Sequence, residues 1–326
     1  MPTSEQRRIA RLIKPFRVQP GAKVDVRKDY DPAFHGSYVK KKDAAGALAQ
    51  GVVQLAEYQD RLAAQGTYAV LVVLQALDAA GKDGTIKHVM SGVNPQGVSV
   101  QSFKVPSAEE LAHDYLWRYA RRLPARGRIG IFNRSYYEEV LVVRVHPQNL
   151  DRQNLPPGAR SGDIWARRFR EINDWERYLV SNGVRLVKLF LNVSYEEQGR
   201  RLLSRIDIPA KNWKFSTADI EERGRWDDYQ RAYSEVLTHT STKWAPWHVI
   251  PADRKWYARL AAGAVILHEV MRIDPRYPEV SDAKREELRE IRERLAGDGR
   301  PQRNGHRARA APTTEVTADR REPARA

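Results

Sequence analysis

Apolar residues along the chain fall into two alternating kinds of segment. Short runs rich in β-branched and aromatic residues predict five strands, at 68–74, 98–103, 128–132, 184–193 and 247–250. Longer segments repeat apolar residues at helical spacing and predict helices at 44–64, 107–122, 163–182, from 194 onward, at 226–238 and at 254–271. Strands that alternate with helices are typical of an α/β fold, in which helices cover both faces of a right-handed parallel sheet.

The composition divides the chain into three parts. Residues 1–45 are polar and contain several turn signals, which predict an irregular N-terminal arm that wraps the domain. Residues 46–280 carry the alternating pattern and predict one large α/β domain, which would hold any catalytic site. Residues 281–326 begin with a charged helical stretch at 282–296 and end in a basic tail that we expect to be disordered.

Bulk properties narrow the classes of function. The 326 residues include no cysteine, which excludes disulfides, thiolate catalysis and Cys-ligated zinc. The sequence has no apolar run of about 18 residues and no apolar signal core near its start, so we expect a cytoplasmic protein without a membrane partner. A net charge of +15 and a pI near 9.9 indicate a polyanionic partner, such as nucleic acid, anionic lipid or a phosphate-rich substrate.

The stretch TYAVLVVLQALDAAGKDGTIKHV carries the candidate chemistry. It runs from a buried strand through a turn of small residues to a helix start, an arrangement in which backbone N–H groups and the helix dipole attract phosphate. Lys82 would add a mobile positive charge, and Asp78 lies at the strand end, where open α/β sheets place their ligands. Ala76 and Asp83 depart from the G-x-x-x-x-G-K-[ST] pattern, so a tight turn with a solvated Lys82 stays an alternative. The predicted phosphate-binding residues here are Ala79, Ala80, Gly81, Lys82, Asp83, Gly84, Thr85 and Lys87.

Three linked segments resemble the type-2 polyphosphate kinases. They are LQALDAAGKDGTIKHVMSGVNPQGVSVQSFKVPSAEEL, GRIGIFNRSYYEEVLVVRVHP, and RIDIPAKNWKFSTADIEERGRWDDYQRAY with TKWAPWHVIPADRKWYAR. The resemblance covers roughly residues 31–278, and FNRS followed by Tyr-Glu-Glu resembles the third class, which extends nucleoside mono- and diphosphates at the expense of inorganic polyphosphate. It implies a P-loop kinase fold akin to thymidylate kinases, a magnesium requirement, a mobile lid, and association into dimers or tetramers.

The resemblance implies roles for residues at the strand ends, and phosphoryl transfer needs groups of these kinds to align phosphates and neutralise their charge. Lys82 would hold phosphates, Arg134 would clamp phosphate oxygens, and Asp78 would anchor the metal or orient an acceptor phosphate. These three are the candidate catalytic residues, with an ordinary turn cap and a surface ion pair as the alternatives for Asp78 and Arg134. Asn133 stands where some relatives carry an acid, which weakens a direct metal role. Glu138 lies at a position that differs between the family's classes and would sense the number of acceptor phosphates, with an ordinary helix-face acid as the alternative. The candidate nucleotide-binding residues are Asn133, Arg134 and Glu138.

A basic segment at about 208–225 is the candidate lid. Pro209 and the polar residues after it break the preceding helix, as suits an element that closes and excludes water. A basic lid above a basic loop would form a channel for a linear polyanion, although a solvated basic loop is the alternative. The cations that we expect to contact polyphosphate are Arg201, Arg205, Lys211, Lys214 and Arg223.

Two other functions stay open from the sequence. An ATP-dependent nucleoside monophosphate kinase of thymidylate-kinase type would share the fold, the loop and the lid, but Asp83 and the density of lid cations argue against it. A basic nucleic-acid-binding module would suit the charge and the aromatic residues interleaved with cations between Trp213 and Trp226. The sequence contains no recognised RNA or DNA motif, so we expect no specific nucleic-acid partner.

Overall fold

The computed structural model describes residues 3–38 and 40–297. Backbone contacts divide the chain into two units, Met1–Pro278 and Glu279–Ala326. The first unit contains the whole sheet, and the described part of the second contains the predicted charged helix. The predicted disordered tail lies outside the described residues.

Five parallel strands form one sheet, and they confirm the predicted α/β fold. Their order across the sheet is β2-β3-β1-β4-β5. The central strand β1 is buried over its full length because helices cover both faces, which explains its continuous apolar run. From β1 the chain crosses toward β2, whereas from β3 it crosses toward β4, so a switch point for ligand binding lies between β1 and β3. The strands are β1 Ala69–Ala76, β2 Val98–Ser102, β3 Ile129–Asn133, β4 Val184–Asn192 and β5 Trp247–Pro251.

Helices surround the sheet, and short 3-10 segments connect several of them. In the first unit the α-helices are α1 Ser4–Ile13, α2 Val26–Asp29, α3 Lys41–Gln65, α4 Lys82–Val89, α5 Ala108–Leu111, α6 Trp117–Ala120, α7 Val142–Val145, α8 Ile164–Ser181, α9 Tyr195–Asp207, α10 Ala218–Gly224, α11 Trp226–Thr240 and α12 Lys255–Ile273. The second unit contributes α13 Asp282–Gly297. The 3-10 segments are Lys14–Phe16, Pro95–Gly97, Tyr136–Val140, Pro147–Gln153, Pro157–Arg160 and Pro209–Lys214.

Residues of β1, β3, β4 and β5 contribute to two hydrophobic clusters on opposite faces of the sheet. Val72 of β1 points into a cluster that includes Leu55 of α3 and Leu267 of α12. Its neighbour Val73 points into the other cluster, together with Ile172 of α8. Within the described residues, no helix is both long and apolar enough to cross a membrane.

The structure corrects two predicted segments. The N-terminal arm is not irregular throughout, because α1 begins with a capping box at Thr3 and buries Ile9 and Ile13 against the α3–α12 side of the core. The single helix predicted over 107–122 is two short helices, α5 and α6. Between them the Asp114 carboxylate accepts a hydrogen bond from the Leu116 N–H, a local turn that competes with helix continuation.

Candidate active site

The turn between β1 and α4 exposes backbone N–H groups toward the carboxyl edge of the sheet. Ala79 (φ 64°) and Gly81 (φ 111°) adopt the left-handed conformation, which reverses the chain within a few residues. Gly81 is the N-cap of α4 and provides no side-chain acceptor for the first helical turn. The N–H groups at the start of α4 are therefore left for a ligand, and the helix dipole favours an anionic one.

The outer side of this turn is held by Arg201 of α9. The Arg201 guanidinium donates to the carbonyls of Ala79 (3.1 Å) and Ala80 (2.6 Å), and to those of Ala252 and Asp253 after β5. Its Nε donates to Glu197 at 2.7 Å. Because Arg201 is only 6% exposed and its five donors are engaged, it lies behind the turn rather than beside a bound phosphate in this conformation.

Lys82 and Asp78 lie together on the inner side of the turn. The Lys82 ammonium donates to the Ala76 carbonyl at 2.8 Å and lies 3.8 Å from the Asp78 carboxylate. Burial acts to raise the pKa of Asp78, but the charges of Lys82 and Arg134 outweigh it, so the pKa is lowered and the carboxylate is ionised at neutral pH. For Lys82, burial disfavours the charged ammonium and so lowers its pKa, and the nearby charge of Asp78 opposes this shift.

Arg134 joins this cluster from the neighbouring strand. It follows β3 directly with a φ of 67°, and its guanidinium donates to Asp78 at 2.8 Å and to Glu138 at 3.2 Å. Glu138, more than any other neighbour, raises the pKa of Arg134. The structure therefore brings four predicted residues together at the switch point, because parallel strands present their carboxyl ends at one edge.

Asn133 is the last residue of β3 and contacts the first turn of α4. Its amide nitrogen donates to the Asp83 carboxylate at 2.8 Å, while its Oδ1 is buried and has no hydrogen-bond partner. Asn133 and the carboxylates of Asp78 and Asp83 line the same cleft, and oxygen ligands of this kind suit a hard cation. Among the described residues there is no group of three or more His, Asp or Glu side chains that could hold a metal alone.

A cleft of about 590 Å³ opens beside this cluster. Its volume falls in the range of small-molecule sites. Arg118 forms part of the wall and lies over the Phe103 ring, 5.3 Å from its centroid. Glu139 is 7% exposed, and burial raises its pKa. Other lining residues, which extend from the phosphate turn to the segment after α7, are Asp78, Lys82, Asp83, Lys104, Asn133, Arg134, Glu138, Asn149, Arg152 and Gln153.

The candidate lid consists of the 3-10 segment Pro209–Lys214 and α10, and the predicted cations in the lid and at the end of α9 before it have partners of several kinds. Arg205 donates to Asp219 at 2.7 Å, and its charge also helps to lower the pKa of Asp78. Lys211 donates to Ser204 at 2.9 Å. Lys214 lies 4.8 Å from the ring centroid of Trp213, a side chain that is largely exposed.

Two cations near the phosphate turn were missed by the sequence analysis. Lys255 opens α12, and burial together with the charges of Arg201 and Lys211 lowers its pKa. Arg259, one turn later, places its guanidinium 3.7 Å from the position that a side chain on Gly84 would occupy. Both lie within the PADRKWYAR segment, but nothing in that segment indicates that α12 begins beside α4.

The fold and the site define a class of protein. A parallel sheet of order 2-3-1-4-5, a Lys-bearing turn after the central strand, and an arginine after its neighbour are the parts of a P-loop kinase-like phosphotransferase.

Comparison with known proteins identifies the family. Residues 38–278 match the family model described as Polyphosphate kinase 2 (PPK2). The chain is 50% identical over 283 residues to an ADP-polyphosphate phosphotransferase of Rhodopseudomonas palustris, covering 86% of this chain and 98% of that protein. It is 44% identical over 275 residues to an AMP/ADP-polyphosphate phosphotransferase of Meiothermus ruber, covering 83% and 97%. The chain therefore belongs to the polyphosphate kinase 2 family, as its sequence motifs predicted.

A solved structure supports the same assignment at the level of the fold. The crystal structure of polyphosphate kinase 2 from Arthrobacter aurescens TC1 matches with a TM-score of 0.76 and 39% identity, covering 85% of this chain and 95% of that one. The predicted kinase-like fold and the prediction of an enzyme are confirmed. Families of this kind generally use a divalent metal ion.

Proposed function

We propose that this chain is a polyphosphate-dependent nucleotide kinase. It transfers a terminal phosphoryl group between inorganic polyphosphate and nucleoside mono- or diphosphates, from AMP to ADP and from ADP to ATP. The observation that carries the proposal is the position of Lys82 and Arg134, which both line a cleft of nucleotide size. The names of the Rhodopseudomonas and Meiothermus relatives support ADP and AMP as acceptors.

The acceptor nucleotide occupies the 590 Å³ cleft, with its phosphates toward Arg134 and Asn133. Arg134 is held by Asp78 and Glu138 on two sides, so its planar fork is already oriented when phosphate oxygens arrive. Glu138 lies where an added acceptor phosphate would compete for Arg134. This competition gives Glu138 a physical route to sense the number of acceptor phosphates.

The polyphosphate chain lies between the phosphate turn and the lid. Lys82 and the N–H groups of Gly81 to Gly84 hold its terminal unit, and Lys87 extends the positive surface of α4. Beyond the turn, Lys255 and Arg259 add charge on the α12 side. Arg205 of α9 and the lid cations Lys211, Lys214 and Arg223 add positive charge on the lid side of the channel.

Magnesium would be held by Asp78 and Asp83, with Asn133 Oδ1 as a third oxygen. These residues fit the ion, because Mg²⁺ binds through one or two carboxylates together with substrate phosphates. When bound, the ion neutralises phosphate oxygens.

The residues of the chain do the remaining work by charge and position. An acceptor phosphate is largely ionised at neutral pH, so its attacking oxygen needs no general base. Lys82 and Arg134 place two fixed positive charges at the oxygens where charge develops during transfer. Asp78 orients both cations, since it lies 2.8 Å from Arg134 and 3.8 Å from Lys82.

A donor assay tests the proposal against the two alternatives. The protein is incubated with Mg²⁺, ADP and long-chain polyphosphate without ATP, and ATP is measured with luciferase; a parallel reaction follows ADP formation from AMP. We expect ATP in the first reaction and ADP in the second. Failure of both, with rapid ATP-dependent phosphorylation of a monophosphate, would instead support a thymidylate-kinase-type enzyme. Tight binding of single-stranded DNA that polyphosphate does not displace would support the nucleic-acid-binding alternative. Assembly into dimers or tetramers and a cytoplasmic location remain predictions.

A further inference from the structure

A buried amide connects the phosphate turn to the lid. Gln198, on the inner face of α9, is 3% exposed. Its Nε2 donates to the Asp78 carbonyl at 3.1 Å, and its Oε1 accepts from Arg223 of α10 at 2.8 Å. One planar side chain therefore contacts both the first residue of the turn and the last part of the lid.

The side chain of Arg223, a residue of α10, packs at a defined position against α9. Its guanidinium carbon lies 3.3 Å from the centroid of the Tyr195 ring, and the same group donates to the Tyr195 carbonyl at 2.8 Å. A side chain on Gly199 would place its Cβ 3.0 Å from the Arg223 guanidinium, so any larger residue there would push the guanidinium away from its present position. We name the surface formed by Tyr195, Gln198 and Gly199 the Arg223 seat.

The contacts of α9 also determine which way the phosphate turn faces. Three successive carbonyls, those of Asp78, Ala79 and Ala80, accept hydrogen bonds from Gln198 and Arg201. Because these carbonyls point toward α9, the N–H groups that follow are free to face the cleft. The remaining bonds of Arg201 go to Glu197 and to the segment after β5, whereas the remaining bond of Gln198 comes from the lid.

We propose that Gln198 is a positioning residue that couples docking of the lid to the geometry of the phosphate turn. With Arg223 in its seat, the Gln198 oxygen is fixed toward the lid and its Nε2 is aimed at the Asp78 carbonyl. When Arg223 leaves, the amide loses the contact that fixes its orientation, and the Asp78 carbonyl loses a reliable donor. The inference rests on the proposed polyphosphate-dependent activity, because the turn and the lid enclose that substrate.

Two substitutions separate the two contacts of Gln198. Gln198→Leu removes both, whereas Gln198→Glu keeps an acceptor for Arg223 and removes the donor to Asp78. Gln59→Leu is a matched control, since Gln59 is also a buried glutamine, 2% exposed, and lies on α3 against Gly97. The three variants and the wild type are assayed for kcat and for KM toward polyphosphate, with ADP saturating.

We expect kcat to fall about tenfold in both Gln198 variants, a change of about 1.4 kcal/mol in barrier that is comparable to one lost hydrogen bond. KM for polyphosphate should rise about three- to tenfold in Gln198→Leu, where the Arg223 seat is lost, and should stay near wild type in Gln198→Glu. Gln59→Leu should match the wild type in both constants. A purely structural role would lower the amount of folded enzyme without separating kcat from KM in this way.

The kinetic results also define what would overturn the inference. Wild-type kinetics in Gln198→Leu, or an equal rise of KM in both Gln198 variants, would overturn the coupling. If circular dichroism shows that Gln198→Leu does not fold, Gln198→Glu decides alone: a lower kcat with an unchanged KM supports the inference, and an unchanged kcat overturns it. Absence of any polyphosphate-driven activity in the folded wild type would refute the proposed function instead.

Discussion

Removing one member of the buried ion pair between Glu176 and Lys188 should destabilise the protein strongly. Both side chains are fully buried, and the Lys188 ammonium lies 2.6 Å from the Glu176 carboxylate. Lys188 also donates to the Tyr137 hydroxyl and to the Thr240 carbonyl. The other Glu176 oxygen accepts from the hydroxyls of Tyr136 and Tyr137. This network lies directly behind the segment that carries Glu138.

The size of the effect follows from the cost of an unpaired buried charge. Glu176→Gln leaves the Lys188 ammonium without its counter-ion, and Lys188→Met leaves the Glu176 carboxylate without its own. We expect each to lower the free energy of unfolding by about 3–5 kcal/mol. The double variant removes both charges, and the amide oxygen that replaces the Glu176 carboxylate would still accept from the tyrosines. It should therefore lose only about 1–2 kcal/mol, far less than the sum of the two single losses.

Urea unfolding followed by circular dichroism measures all three variants on one scale. Glu57→Gln serves as the control, because Glu57 forms an exposed ion pair with Arg61 on α3 and should cost less than about 1 kcal/mol. Single losses below about 1 kcal/mol, or a double loss equal to the sum of the singles, would refute the argument from buried charge.

Three further predictions concern the site, the pH response and the tail. Lys82→Ala should lower kcat by about 10²–10³-fold because it removes a positive charge beside the transferring phosphate. Lys243 is exposed before β5, so Lys243→Ala is the control and should match the wild type. Near-normal turnover in Lys82→Ala would contradict the assignment of the phosphate loop. Loss of the Lys82 hydrogen bond to the Ala76 carbonyl should cost only about 1 kcal/mol of stability. Burial lowers the pKa of His248 to about 3, below its ordinary 6.5, so its contribution to stability is complete above pH 6.5 and declines as the pH falls toward 3. Between pH 7 and 5 the free energy of unfolding, measured with urea, should therefore fall by about 2 kcal/mol because of His248. In His248→Asn the free energy of unfolding should depend less steeply on pH, and a slope equal to that of the wild type would exclude His248 as the cause. Truncation after Ala296 should leave kcat within a few fold in the donor assay, and a collapse of activity would place the tail in the site.

The centre of the site could be predicted because it depends on local pattern and on one topological rule. The strand before Asp78 is recognisable from its apolar run, and Arg134 follows another such strand. Parallel strands bring these ends together, so the contact between Asp78 and Arg134 follows once the strand order places β3 beside β1.

Contacts that depend on which way a helix faces could not be predicted. The spacing of Arg201 and Arg205 shows that they share a face of α9, but not that the face meets the back of the phosphate turn at Arg201 and the lid at Arg205. Lys255 and Arg259 are distant in sequence from α4, and only the packing of α12 brings them to its first turn.

The two errors in the predicted elements have local causes. The prediction of one helix over 107–122 did not take Asp114 into account. The Asp114 side chain accepts a hydrogen bond from the Leu116 N–H in the turn between the two short helices. The N-terminal arm was predicted irregular from its turn signals, although Thr3 and Gln6 already form a capping-box pattern.

The most direct test is a crystal structure of the full chain with Mg²⁺, ADP and a short polyphosphate. We expect the polymer to lie between the phosphate turn and the lid, with its terminal unit in contact with Lys82 and facing the ADP phosphates beside Arg134. A polymer bound at another surface, with ADP alone in the cleft and no phosphate on the turn, would contradict it.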